Sequence, residues 1–525
     1  MHTPVTRPRR AALTLALSAA LVAPLGAGLA AAAPTDDVTL SPLGTYSAGA
    51  FDEGAAEIVA HDPGTQRAFV VNALAGTVDV LDISDPSAPT KVDTLETPGA
   101  NSVAVAKGVV AVAQQADDKQ QPGSVSFFDA RTLEATRTVT AGALPDMVAL
   151  SDNGRYAVVA NEGEPEGYEA GQVDPEGSVS VIDVKKGTVR TADFTAWNGK
   201  ADELRAAGVR IFGPGATVAQ DLEPEYVTIS GNGRTAWVTL QENNAIATVE
   251  LASATVTDID ALGTKDHSVA GFGLDASNKD DAVNIATWPV KGVYMPDGVE
   301  SFRTGGSEYL ITANEGDARE YDGFEEELEV GDVELDPEVF PNAEELQENE
   351  NLGKLKITST SPKGENGYTE LHSFGGRSVT IRDAATGELV WDSGDSFEQI
   401  VAEQAPELFN ADNAENGADD RSDNKGPEPE GVEIGRVDGR TLAFVGLERT
   451  SGIITIDVTD PHAPTIVDYT HNRVVDGDPE AGTAGDLGPE GLHFVSKGDS
   501  PTGSPLLIVG NEVSGTTTIW QVGTH

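Results

Sequence analysis

The chain contains no cysteine, which excludes disulfides, thiolate metal sites and lipid-modified cysteines. Positive charge is scarce as well: 34 lysines and arginines stand against 86 aspartates and glutamates, a formal net charge of −52 at pH 7. Such a field repels nucleic acid and anionic membranes and attracts cations, so no nucleic-acid partner is expected. Past the N-terminal segment, no stretch approaches about 18 uninterrupted apolar residues, and no transmembrane segment is expected after its removal. The G-x-S-x-G elbow, the Walker loop and H-E-x-x-H are all missing. The eight histidines are scattered, and His493, inside a strand, reads as a packing residue.

The N-terminal segment carries Arg7, Arg9 and Arg10 before an apolar run from Ala11 to Ala33, with small residues at Ala30, Ala31 and Ala32. This predicts a signal peptide over 1–32, removed to leave a single domain over 33–525. The Arg9-Arg10 pair leaves twin-arginine export open beside the general secretory route. The expectation is a secreted, extracellular, soluble monomer.

What the chain does contain is a repeat, the feature to seek before any other. An acid, any residue, Val or Leu, any residue and usually an aliphatic recur as EIVAH at Glu57, DMVAL at Asp146, EYVTI at Glu225, DGVES at Asp297, EGVEI at Glu430 and EGLHF at Glu490. A further copy, NSVAV, has Asn101 in place of the acid. Proline precedes the acid at Pro145, Pro224, Pro296, Pro429 and Pro489. Each copy is followed by a second apolar strand such as YAVVAN or LLIVGN. A third strand such as GSVSVIDV follows, with the period-two alternation of a half-buried strand. Six fourth strands follow third strands, and VTLSPLGTYS from Val38 is available as the seventh. Together these predict an all-β, seven-bladed β-propeller, its last blade completed by the N-terminal strand. Closure would leave few open strand edges. A β-sandwich with extra strands is the alternative.

In an up-and-down blade, the start of strand one and the end of strand two share a face. The near-repeats ANEGEPEGYE from Ala160 and ANEGDAREYD from Ala313 are therefore one rim position visited twice. Long insertions, among them 163–176, 193–222, 395–428 and an acidic one over about 316–375, emerge on that face. Residues 322–350 hold 13 acids and no base. They read as a solvated excursion with a short helix around NAEELQ.

Glu57, Asp146, Glu225, Asp297, Glu430 and Glu490 should thus ring a channel mouth, joined by Glu162, Glu242, Glu315 and Glu512 from second-strand ends. Carboxylates, Asn and backbone oxygens without Cys describe a hard-cation site. Ca2+ comes first, with Mg2+ or Mn2+ as alternatives. The competing reading makes each acid the cap of its own turn. Asn161, Asn314 and Asn511 are candidate ligand-binding residues. So are Arg319 and Arg421, which suit a phosphate or carboxylate but more commonly form structural salt bridges. The Asp- and Asn-rich run 410–425 does not match an EF-hand loop.

DLEPEYVTISGNGRTAWVTLQENNA, ITANEGDAREYDGF, GRSVTIRDAATGELVWDSGDSFEQI and DDRSDNKGPEPEGVEIG together resemble the choice-of-anchor I family of secreted bacterial propeller proteins. DISDPSAPTKV from Asp82 and DVTDPHAPTIV from Asp457 resemble LVIVD-type repeats. The resemblance implies a propeller domain whose relatives are held at the cell surface by varied C-terminal devices. Some relatives are labelled alkaline-phosphatase-like. It transfers no nucleophile. Two functions stay open: a binding or scaffold propeller whose acidic face carries cations and meets an extracellular ligand or cell-surface component, and a metal-dependent phosphoester hydrolase of alkaline phosphatase or phytase type.

Overall fold

The structure, a computed structural model, describes residues 38–414 and 417–524. The expected signal peptide, 1–32, lies outside the described residues. The chain is all-β and of propeller type. Seven separate four-stranded antiparallel sheets span 59–96, 100–143, 145–193, 224–261, 299–392, 429–470 and 489–524, and we number them 1 to 7 in that order. The fourth strand of sheet 7 is Val38–Ser47, paired with Thr516–Thr524 from Val38 opposite Thr524 to Ser47 opposite Thr516. Pro42 sits in this edge strand, where a missing N–H costs no ladder bond. Gly44 marks its approach to sheet 1, because a Cβ there would stand 2.6 Å from the carbonyl of Ser87.

The first strand of each sheet packs against the first strand of the next, and that of sheet 7 packs against that of sheet 1. Alternation along the second strands supplies the layers between sheets. In Tyr156–Asn161 every residue is buried. Val158 joins Val227 and Val238 of sheet 4, whereas its neighbour Val159 joins Ala111 and Val125 of sheet 2. Each such valine contributes about 1.5–3 kcal/mol by leaving water. A one-residue slip would exchange the two layers.

The acidic insertion departs from expectation. Residues 322–350 are not a solvated excursion. Glu327–Glu329 pairs with Lys356–Thr358 in a five-stranded sheet completed by His372–Phe374, Lys291–Val293 and Thr264–Asp266. Val330, Leu335, Phe340 and Leu346 turn inward onto Leu274 and Val290. The acids between these apolar positions are what the surface keeps. The short helix is present at Ala343–Leu346. Residues 262–298, not foreseen as an insertion, supply two of the five strands and part of this core.

Candidate metal centre

The proline-acid phrase has a structural cause. Pro145 pairs with Asn161 and Val148 with Val159, so Asp146 and Met147 together oppose one residue. The same bulge holds Glu225 between Pro224 and Val227, Glu430 between Pro429 and Val432, and Glu490 between Pro489 and Leu492. A bulge re-aims a side chain out of the pleat. These bulges bring Asp146, Glu225, Glu430 and Glu490 to a common cavity of about 120 Å³, which Asn101 and Asp297 also line. Residues at the first strands of six successive sheets, 2 to 7, thus each bring one carboxylate or amide side chain to it. A second cavity, about 360 Å³, is lined by Glu162, Glu164, Glu225, Glu242, Asp317, Glu320, Glu327, Arg421 and Lys425 among others. Glu225 lines both.

The repeated Asn-Glu-Gly phrase divides its labour by residue. Asn161 is fully buried, accepts from the Gly142 N–H at 3.0 Å and donates to the Ser178 carbonyl at 3.0 Å and Ser180 Oγ at 3.0 Å. Asn314 accepts from Thr312 Oγ1 at 2.9 Å and donates to Ser378 Oγ at 3.4 Å, while Asn511 donates to the Thr516 carbonyl at 3.2 Å. The three asparagines expected to contact ligand are engaged instead in fastening strand two to strand three. The glutamate that follows each lies at the rim. The glycine takes a left-handed turn, with φ 73° at Gly163 and 92° at Gly316.

Both arginines of the sequence reading are also engaged within the protein. Arg319 is buried, with Nη1 2.5 Å from Asp221 Oδ1, Nη2 3.1 Å from Glu223 Oε2, and its guanidinium stacked on Phe212. Arg421 donates to Glu428 Oε1 through Nε at 3.0 Å and Nη2 at 2.7 Å, though it still lines the larger cavity. The salt-bridge alternative describes both.

Two carboxylate triads have oxygens mutually within 4.8 Å: Asp297, Glu315 and Glu430, and Glu315, Glu428 and Glu448. They differ in charge compensation. The second is threaded with cations: Lys425 Nζ lies 3.1 Å from Glu315 and 3.4 Å from Glu428, and Arg449 Nε lies 3.3 Å from Glu428 and 3.2 Å from Glu448. Burial opposes the charge on Glu428, yet Lys425, Arg421 and Arg449 hold its pKa below the ordinary value. Among the described residues the first triad has only Lys425 and Gln241, both on Glu315. Glu430 Oε2 is buried and, among the described residues, without a hydrogen-bond partner, as are Oε2 atoms of Glu225, Glu242 and Glu490. Burial, then neighbouring carboxylates, push Glu430, Glu490, Glu225, Asp297 and Glu162 well above the carboxylate range. Burial, Glu512 and Asp146 raise Glu57 to about 8. Burial and Glu164 raise Asp146 to about 7. Burial raises Glu512 too.

Sequence reasoning left Lys425, Glu428, Glu448 and Glu223 out of the site. Glu448 follows the second strand Arg440–Leu447 as Glu162 and Glu315 follow theirs, a rim ending legible in the sequence but not counted among the candidate ligands. Lys425 had no signal beyond being the last residue of an acidic run.

A profile described as Choice-of-anchor I domain matches residues 57–461. Gigasin-3a of Magallana gigas is 30% identical over 194 residues, covering 34% of this chain and 66% of that protein. The mesenchyme-specific cell surface glycoprotein of Strongylocentrotus purpuratus is 30% identical over 279 residues, covering 46% of this chain and 35% of that protein. The chain spans less than two thirds of these relatives' length. Among solved structures, Kuenenia stuttgartiensis hydrazine synthase aligns with 91% of this chain and 100% of its own at 15% identity and TM-score 0.47. The Neurospora crassa Pan2 WD40 domain aligns with 94% and 97% at 11% identity and TM-score 0.44. No helix among the described residues is long and apolar enough to cross a membrane.

Proposed function

Starting from a chain that belongs to the choice-of-anchor I family, we propose an extracellular binding or scaffold protein: a closed seven-bladed propeller whose acidic mouth holds a divalent cation. The cation and the surrounding insertions together present a surface to an extracellular or cell-surface ligand. Seven-blade closure is supported by the ring of first-strand contacts and by the strand Val38–Ser47 that completes sheet 7. The extracellular setting is supported by the basic-then-apolar N-terminal segment and by a relative named as a cell surface glycoprotein.

One observation carries the cation. Asp297, Glu315 and Glu430 converge within 4.8 Å, with Glu430 Oε2 buried and, among the described residues, without a hydrogen-bond partner. Two full charges at that separation repel by about 3 kcal/mol at an effective dielectric near 20. A divalent ion converts this repulsion into attraction. An all-oxygen donor set selects a hard cation, calcium first, with magnesium and manganese behind it.

A metal-dependent phosphoester hydrolase is the second reading. In its favour, Arg421 and Lys425 face the same 360 Å³ space as Glu162, Glu225 and Glu242. Both basic groups already pair with Glu428 and Glu315, which favours binding over turnover. Melting chelator-stripped protein against calcium, magnesium and manganese tests the cation. A ligand at a hundredfold excess over Kd stabilises by about 2.7 kcal/mol, and an unchanged melt at millimolar calcium would overturn the reading. Release of phosphate from a simple aryl phosphate would promote the second reading.

A further inference from the structure

Outside the acid-lined cavities, one further cavity of about 330 Å³ lies where three insertions meet. Val209, Ile211 and Phe212 come from the segment before sheet 4, Thr264 and Val293 from the segment before sheet 5, and Thr360, Pro362 and His372 from the acidic insertion. Its lining departs from the rest of the molecule. In a chain with 86 acidic residues, no Asp or Glu among the described residues lines this space, whereas Arg205, Arg210 and His372 do. Apolar walls with a few placed polar groups, at this volume, are the usual make-up of a small-molecule site.

The two arginines play different parts. Arg210 is a wall. It donates to the Glu242 carbonyl at 2.6 Å, pairs with Glu326, donates to Thr358 Oγ1 at 3.1 Å and lies over the Phe212 ring. Arg205 is half free. It belongs to the helix Ala201–Ala207. Its Nε donates to the Ile211 carbonyl at 2.8 Å, which fixes the guanidinium beside the cavity. Its Nη1 reaches Asp202 at 3.3 Å on the solvent side. Among the described residues Nη2 has no hydrogen-bond partner. The ring of His372 is oriented by Glu370 at 2.9 Å, and Lys291 at 2.7 Å neutralises that carboxylate.

We infer that this cavity binds a small organic anion with an apolar body: a carboxylate or sulfonate on Arg205, its hydrocarbon part against Val209, Ile211, Phe212, Val293 and Pro362. The net negative charge of the chain works against such a ligand in general. A space cleared of carboxylates and edged by an anchored guanidinium is where it can be held. The site is independent of any cation at the mouth.

The probe is 8-anilinonaphthalene-1-sulfonate, with N-phenyl-1-naphthylamine as its neutral counterpart, titrated by fluorescence into the full-length protein. One saturable site is expected for the sulfonate, displaced by octanoate and not by octylamine. Arg205→Gln should weaken the sulfonate at least tenfold and leave the neutral probe unchanged. Thr264→Glu, which adds a carboxylate at an exposed lining position, should do the same by repulsion. Both positions are exposed, and unchanged melting temperatures verify folding. Absence of saturable sulfonate binding, or equal binding by wild type and both variants, would overturn the inference. Equal weakening of both probes would also overturn it, because the anion would then not be what Arg205 recognises.

Discussion

Lys425 Nζ lies 3.1 Å from Glu315 Oε1, so a lysine from the loop before sheet 6 neutralises a glutamate at the end of a strand in sheet 5. Gln241 of the neighbouring sheet 4 donates to the other oxygen of Glu315 at 2.8 Å. Three successive sheets therefore meet at one carboxylate. The tethered ammonium pairs with two carboxylates of one triad, Glu315 and Glu428, and touches the other, which holds Asp297 and Glu430, at Glu315 alone.

Lys425→Met removes the buried ammonium while Glu315 and Glu428 stay in place. Breaking a buried pair from one side costs about 3–5 kcal/mol. Urea denaturation in chelator should show a loss of that size. Calcium should restore much of it, because an ion can then take the place of the ammonium between Glu315 and Glu428. A variant as stable as wild type in chelator would show that Lys425 is not what holds this triad together.

Asn161→Ala deletes the fastening between strands two and three of sheet 3. Buried donors and acceptors left without partners cost about 1–3 kcal/mol. We expect a destabilisation in that range with the calcium stoichiometry unchanged. Loss of bound calcium at full stability would instead return Asn161 to a ligand role.

Cation-free protein should weaken as pH rises. Burial and neighbouring carboxylates raise Glu57 to about 8 and Asp146 to about 7, against about 4 in an unfolded chain. A carboxyl with a raised folded pKa binds more protons folded than unfolded. Its contribution is present below the unfolded value and lost as pH climbs through the folded one. Melting temperatures in chelator should therefore fall between about pH 5 and about pH 9, and saturating calcium should flatten the profile. A profile in chelator that rises across this window would contradict the assignment.

Much of this was legible in the sequence because the repeats are local. Period-two alternation and the recurrent proline-acid pair each fit within a few residues, and at Asp146, Glu225, Glu430 and Glu490 that pair coincides with a bulge. The completing strand at Val38 was legible too, since one sheet was short by one strand. Partner choice was not. Lys425 meets Glu315 across 110 residues, and only the placement of two insertions decides that. Asn161 and Asn314 show another limit, because a buried amide that fastens strands and one that binds a ligand are written with the same letter. Residues 322–350 misled through charge: thirteen acids obscured the Leu and Val between them, and those few apolar residues were enough to build a core with Leu274 and Val290.

The most direct measurement is calorimetric titration of calcium into chelator-stripped protein, wild type beside the double variant Asp297→Asn, Glu430→Gln. Both substitutions keep side-chain volume, and a melt in chelator verifies that the variant folds. The account predicts saturable calcium binding by wild type and its loss in the folded double variant. No saturable binding at millimolar calcium, or the same isotherm from both proteins, would contradict it.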